Sequence, residues 1–273
     1  MFSRLRQTVR AHPVAAFYAL TFPLSWRAYL LAFFHPGGEL GLDPYGPLVA
    51  AVVVTVLVGG GRGLKAWGRT LLRWRAVPSL YAFALLLPLG VTLLGIGANV
   101  ALGAVAPAPE RWSAWPTLLV AFPLVMVLGG PLGEEPAWRG FALARVSERR
   151  SMLQASLLVG LVWFAWHLPL LLARPGEVAP GFVGILSASV VFGWLYQRSG
   201  GVVLLPLLMH TAQNTFGGEF AGPMFSGADA TRLAWLRGGF YLVTALVLVL
   251  RDARLRTVAA SVENALGARP DPA

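Results

Sequence analysis

Long apolar segments separated by short polar loops run through almost the whole chain. Of its 273 residues, 56% are hydrophobic and 12% are charged, whereas about a quarter of the residues of a soluble domain are charged. Eight segments are apolar over roughly the length that crosses a bilayer: Pro13–Phe34, Tyr45–Gly60, Ser79–Leu102, Trp115–Gly130, Met152–Leu172, Phe182–Tyr196, Val202–Phe216 and Leu236–Leu250. The pattern predicts an all-α fold, a polytopic transmembrane helical bundle of about eight spans. Because there is no internal repeat or long linker, residues 1–273 are expected to form a single integral membrane domain.

Basic residues lie in every second loop between these segments. They crowd the stretches 4–10, 62–75, 145–150 and 251–256, while the intervening loops contain few. Because Lys and Arg favour cytoplasmic loops, both termini are expected in the cytoplasm, and the protein in a bacterial cytoplasmic membrane. This pattern accounts for the net charge of +10, and no basic face with interleaved aromatic residues suggests nucleic-acid binding.

Shorter stretches and the absence of cysteine add further expectations. Residues 63–75 mix basic residues with Trp and Leu, which is typical of an amphipathic helix on the cytoplasmic surface or of a simple loop that sets topology. Residues 267–273 contain two prolines and are expected to be a disordered tail. The apolar N-terminal segment lacks a small-residue cleavage site, so it is interpreted as an uncleaved first span. Without cysteine, thiolate catalysis and Cys-based zinc sites are excluded.

Three polar clusters lie within or beside the apolar segments. They are Glu134–Glu135 with Arg139, then His167, then His210 with Asn214. Ionisable groups are costly at membrane depth and usually functional there, so we expect three helices to bring these side chains into one buried site. In a helix, Glu135 and Arg139 are spaced to pair, which leaves Glu134 available as a general base. His210 and Asn214 share a helix face and can donate hydrogen bonds to an oxyanion.

Each cluster also has a purely structural interpretation. The glutamates could form exposed ion pairs with Arg139 at the cytoplasmic end of the fourth segment. His167 could be a packing residue, and His210 could join helices through hydrogen bonds. Taken together, however, the clusters supply a carboxylate, a histidine and a histidine–amide pair, which is the set that water activation needs. Since Glu134 is close to a basic loop in sequence, we expect a hydrated pocket open to the cytoplasm.

The same residues resemble the three motifs of the CPBP family, the CAAX-processing and bacteriocin-processing intramembrane proteases of the Abi or Rce1 type. The motifs are Glu-Glu-x-x-x-Arg at 134–139, aromatic-x-x-x-His at 163–167 and His-x-x-x-Asn at 210–214. They lie in order within a catalytic core of about residues 118–216. Trp163 stands where the family usually has Phe, a departure that is expected to leave the chemistry unchanged.

The resemblance implies a role for each motif residue: Glu134 as the base on water, His167 holding that water, His210 and Asn214 as the oxyanion site, and Glu135 with Arg139 as support. The family is often described as metalloproteases. Glu134, His167 and His210 would be an acceptable set for Zn²⁺ or another divalent metal, with Glu135 left as the base. Because Asn214 is a poor zinc ligand and a good hydrogen-bond donor, we expect no obligatory cofactor.

These expectations converge on an intramembrane endopeptidase. It would hydrolyse a peptide bond of a membrane-associated peptide or protein near the cytoplasmic face, with the lipid bilayer as its other partner. The alternative is a non-catalytic membrane scaffold for immunity or for binding a partner. A proton-coupled transporter would also use intramembrane Glu and His, but it predicts broken helices in two related halves. The polar clusters begin at Glu134, in the middle of the chain, and have no counterpart in the segments before it.

Overall fold

A computed structural model describes residues 2–34 and 41–258 of the chain. Over these residues it consists of helices and contains no strand, so the predicted all-α class is confirmed. The α-helices are α1 (Phe2–Ala11), α2 (Pro13–Ser25), α3 (Arg27–Phe34), α4 (Gly46–Leu71), α5 (Pro78–Ala101), α6 (Pro109–Ser113), α7 (Leu118–Leu128), α8 (Pro131–Ala137), α9 (Ala144–Val146), α10 (Met152–Leu172), α11 (Val178–Arg198), α12 (Leu204–Asn214) and α13 (Gly227–Arg251). Six helical segments in this described part are long and apolar enough to cross a membrane, which makes the chain an integral membrane protein.

Three of the predicted spans have different lengths in the structure. The first, Pro13–Phe34, is divided at Trp26 into α2 and α3. The seventh, Val202–Phe216, contains only the 11-residue helix α12 before a π-helical turn begins. The second is longer than predicted, because α4 continues to Leu71 across a break at Gly60. A hydropathy pattern measures how apolar a segment is and does not show where a helix breaks. The positions of these breaks were therefore not predicted from the sequence.

Basic residues gather at one end of the bundle, here called the basic end. It surrounds a cavity of about 460 Å³ whose lining includes Val58, Arg73, Arg145 and Tyr196. The N-terminal helix reaches the same place, since the guanidinium of Arg10 donates a hydrogen bond to the Val58 carbonyl at 3.2 Å. The end of α13 also lies beside the end of α11. Helices α1, α4, α9, α11 and α13 therefore share this basic end.

The segment Pro109–Leu128 lies across the opposite end, here called the far end. The rings of Trp112 and Phe220 are 5.9 Å apart, and Phe220 follows α12. The C-terminal extremity of the segment is held at Val127, whose carbonyl accepts a hydrogen bond from the hydroxyl of Tyr45 at 2.6 Å. Tyr45 directly precedes α4. Only 6% of the apolar window of this segment is buried. Both extremities of the segment are thus attached to the far end.

Helices α8 and α9, with the π-helical turn between them, run from the far end to the basic end. Gly133 packs against the backbone of Pro44 and Tyr45 at the far end. Near the basic end, the Gly140 carbonyl accepts a hydrogen bond from the Trp67 indole at 3.0 Å. Residues 131–146 therefore connect the two ends of the bundle, and Glu134 lies on this passage and not at the end of the segment 115–130.

Residues 61–71 form the part of α4 beyond its break, where an amphipathic surface helix was predicted over 63–75. Arg62, Lys65 and Arg69 are exposed, while Trp67 is buried against Gly140. One basic face and one packed face agree with an amphipathic helix, although its position on a membrane surface stays a prediction. The predicted tail, residues 267–273, lies outside the described residues.

Candidate active site

Glu134 lies in the first turn of α8, which begins directly after Gly130. Gly130 has a φ of 112°, a conformation that favours glycine, and this allows a sharp turn between α7 and α8. Glu134 is eleven residues before Arg145, which separates them by about 16 Å along the helix axis. The cavity that Glu134 lines also shares no lining residue with the cavity at the basic end, so the expectation that Glu134 sits beside the basic loop is wrong. The hydropathy pattern ended the fourth span at Gly130, whereas the helix that carries Glu134 begins there.

One carboxylate oxygen of Glu134 is anchored, and the other faces open space. Oε2 accepts hydrogen bonds from the indole N–H of Trp163 at 2.7 Å and from that of Trp138 at 3.3 Å. Oε1 lies so close to Gly130 that a Cβ at that position would collide with it. The residue is only 3% exposed, and a buried carboxylate needs hydrogen-bond donors. The two indoles supply them and leave Oε1 available.

Glu135 belongs to a separate buried network on the other side of α8. Its Oε1 accepts hydrogen bonds from Arg139 Nη1 at 2.7 Å and from His210 Nδ1 at 2.9 Å. The Arg139 guanidinium lies between two rings, with Cζ 4.4 Å from the centroid of Trp163 and 4.7 Å from that of Phe192. The structure thus contains the ion pair expected from the spacing and extends it to His210. This network joins α8 to α10, α11 and α12.

Hydrogen bonds assign the proton positions of the two candidate histidines. His167 Nδ1 lies 2.8 Å from the Trp163 carbonyl oxygen, which can only accept, so Nδ1 carries a hydrogen. His210 Nδ1 faces the Glu135 carboxylate in the same way. The Nε2 edge of each ring is left for other partners. It accepts a hydrogen bond when the ring is neutral and donates one when the ring is an imidazolium.

A cavity of about 330 Å³ brings four of the predicted residues together. It is lined by Glu134, His167, His210 and Asn214, and by Leu42, Pro44, Leu128, Gly129, Trp163, Trp166, Leu170, Ile185 and Gln213. The Asn214 amide donates to the Gly129 carbonyl at 3.4 Å, a long contact that leaves it available to a better acceptor. Glu135 and Arg139 lie behind this lining. Since Leu42 and Pro44 precede α4, the cavity lies toward the far end.

The alternative metal site was tested against the same geometry. In the part of the chain that the structure describes, no three His, Cys, Asp or Glu side chains come together as a metal-binding group. Glu134 Oε2 is held by two indoles, and Nδ1 of both His167 and His210 is engaged. These bonds leave Oε1 of Glu134 and Nε2 of both rings without a protein partner within the described residues, and a histidine that binds a metal commonly donates its other ring N–H in this way. The absence of an obligatory metal therefore stays a prediction, and no reaction step is derived through a metal.

Sequence reasoning missed the two indoles that hold the candidate base. Trp163 was expected only as an aromatic neighbour, yet its N–H makes the shorter hydrogen bond to Glu134. A Phe at this position would lack that donor, so the departure from the family pattern does change the site. The four-residue spacing between Glu134 and Trp138 was a signal for the second contact.

Two comparisons with known proteins agree with the resemblance seen in the motifs. Residues 115–216 match the family model described as type II CAAX prenyl endopeptidase Rce1-like. CAAX prenyl protease 2 of Methanococcus maripaludis is 26% identical over an alignment of 98 residues, which covers 32% of this chain and 36% of that protein. The matched part therefore spans about a third of the relative's length. Both matches cover the segment that contains the candidate site, and they confirm the resemblance to the Rce1-type family.

Proposed function

We propose that this chain, related to the Rce1-like CAAX endopeptidases over residues 115–216, is an intramembrane endopeptidase. The observation that carries the proposal is the environment of Glu134. Two indoles hold one oxygen of this buried carboxylate, and the cavity beside it is also lined by His167, His210 and Asn214. A carboxylate held in this way can take a proton from water. A scaffold that only binds a partner would not need all four groups around one cavity.

In the proposed reaction, Oε1 of Glu134 takes one proton from a water molecule while the water oxygen bonds to the carbonyl carbon of the scissile peptide. Nε2 of neutral His167 accepts the other hydrogen of that water and orients it. The carbonyl electrons move to oxygen, and the oxyanion accepts hydrogen bonds from the Asn214 amide and the His210 imidazolium. Collapse of this intermediate breaks the C–N bond, and the proton on Glu134 passes to the leaving nitrogen.

The proposed substrate is a peptide or protein held at the membrane. The cavity lies within a bundle whose helices are long and apolar enough to cross a membrane, so a substrate has to approach from the bilayer or its surface. The name of the Methanococcus relative refers to CAAX prenyl substrates. For this chain we propose the wider class, membrane-associated peptides and proteins.

Replacement of Glu134 by Gln tests the proposal. The amide keeps the size of the side chain and removes the base, so proteolysis is expected to fall by about 10²-fold or more. Mass spectrometry of peptide N-termini in cells that express either form measures this. Glu219→Gln, at an exposed glutamate, is the matched control and should behave as wild type. Identical N-termini for wild type and Glu134→Gln, with both proteins inserted in the membrane, would favour the scaffold alternative.

We also propose that this hydrolysis needs no metal ion, because Glu134 can act on water directly and Asn214, which lines the same cavity, is a hydrogen-bond donor and a poor zinc ligand. Purified protein that has been dialysed against EDTA is expected to cleave its substrate at the original rate. Metal analysis of the same sample is expected to find no stoichiometric zinc. A rate that disappears with EDTA and returns only with Zn²⁺ would contradict this prediction.

A further inference from the structure

A second cavity, of about 170 Å³, adjoins the candidate active site. Its lining includes Glu177, which directly precedes α11, Gln213 of α12, and Arg237 and Tyr241 of α13. Gln213 and Ile185 line both cavities, so the two spaces are neighbours. Arg237 is ten residues from the start of α13 and thus well inside a helix long enough to span a membrane. Ionisable residues at such depth usually serve a function.

The polar groups of this second cavity include donors without acceptors. Arg237 Nη1 donates to the Gly217 carbonyl at 3.1 Å, but Nε is buried without a hydrogen-bond partner among the described residues. The hydroxyl of Tyr241, one turn further along α13, is buried and has no partner there either. The nearest acid in the lining, Glu177, forms its ion pair with Arg174 at 3.6 Å. Within the described chain, Arg237 forms no ion pair with a carboxylate.

We propose that Arg237 and Tyr241 bind a carboxylate of the peptide substrate, next to the place where the peptide bond is cleaved. The proposal rests on the proposed function and adds a determinant of specificity to it. Arg237 and Tyr241 lie one turn apart on the same helix and both line this cavity. The Nε–H of Arg237 and the O–H of Tyr241 are then the donors for the two oxygens of one carboxylate, and charge-assisted hydrogen bonds of this kind are strong. The carboxylate is either the free C-terminus of the peptide or an Asp or Glu side chain.

Binding of short peptides separates these sources and does not depend on cleavage. The probes are N-acetyl-Leu-Leu-Leu as the free acid, the same peptide as the amide, and N-acetyl-Leu-Glu-Leu amide. Their affinities are measured by equilibrium dialysis with the purified Glu134→Gln variant in a carboxylate-free buffer. At least one acidic probe is expected to bind about ten-fold more tightly than the neutral amide, and that probe identifies the source. Because hydrolysis is not needed, failure of the proposed function would not produce failure here.

Substitutions then assign the preference to the second cavity. In the Glu134→Gln background, Arg237→Gln is expected to bind acidic and neutral probes equally. Arg232→Gln, on the same helix but paired with Asp229 at 2.7 Å, should keep the preference. Since the bond to Gly217 makes Arg237 a candidate for structural damage, Tyr241→Phe is the second test, with an expected reduction of the preference. Equal affinity for all probes before substitution, or an unchanged preference in both Arg237→Gln and Tyr241→Phe, would overturn the proposal.

Discussion

Trp163 connects three groups of the candidate site through three different parts of one residue. Its N–H donates to Glu134, its ring lies against the Arg139 guanidinium, and its carbonyl accepts from His167. A Phe would retain the ring and the carbonyl and would lose only the N–H. The difference between Trp and Phe at this position therefore isolates the hydrogen bond to the candidate base.

Replacement of Trp163 by Phe is expected to lower kcat/KM about ten-fold or more, since a hydrogen bond to a charged group contributes about 1.5–3 kcal/mol. Trp166→Phe is the matched control, because the Trp166 N–H is buried without a partner among the described residues and its ring lines the same cavity. Peptide cleavage by the two purified variants measures the effect. Equal losses in both would indicate that ring volume, and not the hydrogen bond, is what matters.

Among the elements, α8 is placed by the close approach of its backbone to neighbouring chain segments. Gly133 meets the Pro44 carbonyl and the Tyr45 backbone, and Gly140 meets the side chains of Leu71 and Val203. Small residues permit such contacts between membrane helices. Since Glu134 directly follows Gly133, the packing of this one glycine determines where the candidate base lies.

A methyl group at residue 133 is therefore expected to displace α8. Gly133→Ala should lower both the unfolding temperature in detergent and the rate of cleavage, because its Cβ collides with backbone that has no freedom to rotate away. Gly90→Ala, in α5, adds the same atom where nothing lies within 4 Å. Alanine is about 1 kcal/mol better than glycine in a helix, so this control should be neutral or stabilising. A fully active Gly133→Ala protein would show that α8 does not need this contact.

Over the whole molecule, the candidate active site and the basic residues lie toward opposite ends. The cavity is lined by Leu42 and Pro44 at the far end, whereas Arg73 and Arg145 line the cavity at the basic end. Because Lys and Arg favour the cytoplasmic side, the basic end, with residues 2–11 and 251–258, is proposed to face the cytoplasm. With this orientation, the candidate active-site cavity is proposed to lie nearer the outer face of the membrane and not at the cytoplasmic face expected from the sequence.

Single cysteines test this orientation, since the chain has none of its own. In intact cells a membrane-impermeant maleimide is expected to label Leu42→Cys at the cavity and not Arg149→Cys in the exposed basic loop. Inside-out vesicles should give the reverse pattern. Labelling of Arg149→Cys in intact cells would place the basic end outside and contradict the proposed orientation.

The sequence predicted the helical class and the four residues that line the candidate active-site cavity, because apolar runs and intramembrane charges are strong local signals. It did not predict that Glu134 lies on a separate helix, α8, and not at the end of the preceding apolar segment. Pro109–Leu128 is as apolar as a spanning helix, and only its contacts in the structure show that both of its extremities are attached to the far end. The indole donors were missed for a similar reason. Whether Trp163 meets Glu134 depends on how α8 and α10 pack, and that information is distributed over many residues.

The buried network around Glu135 also bears on how the protein is made. The passage 131–146 carries Glu134, Glu135 and Arg139, all of them buried, and each ionised side chain disfavours membrane insertion by up to about 2.5–3.5 kcal/mol, the cost at the centre of a helix. Two of the residues that satisfy these charges, Trp163 and His210, belong to helices that leave the ribosome later. Stable insertion of α8 is therefore coupled to the synthesis of α10 and α12, whereas α5, which has no charged residue, can enter the bilayer as soon as it is made.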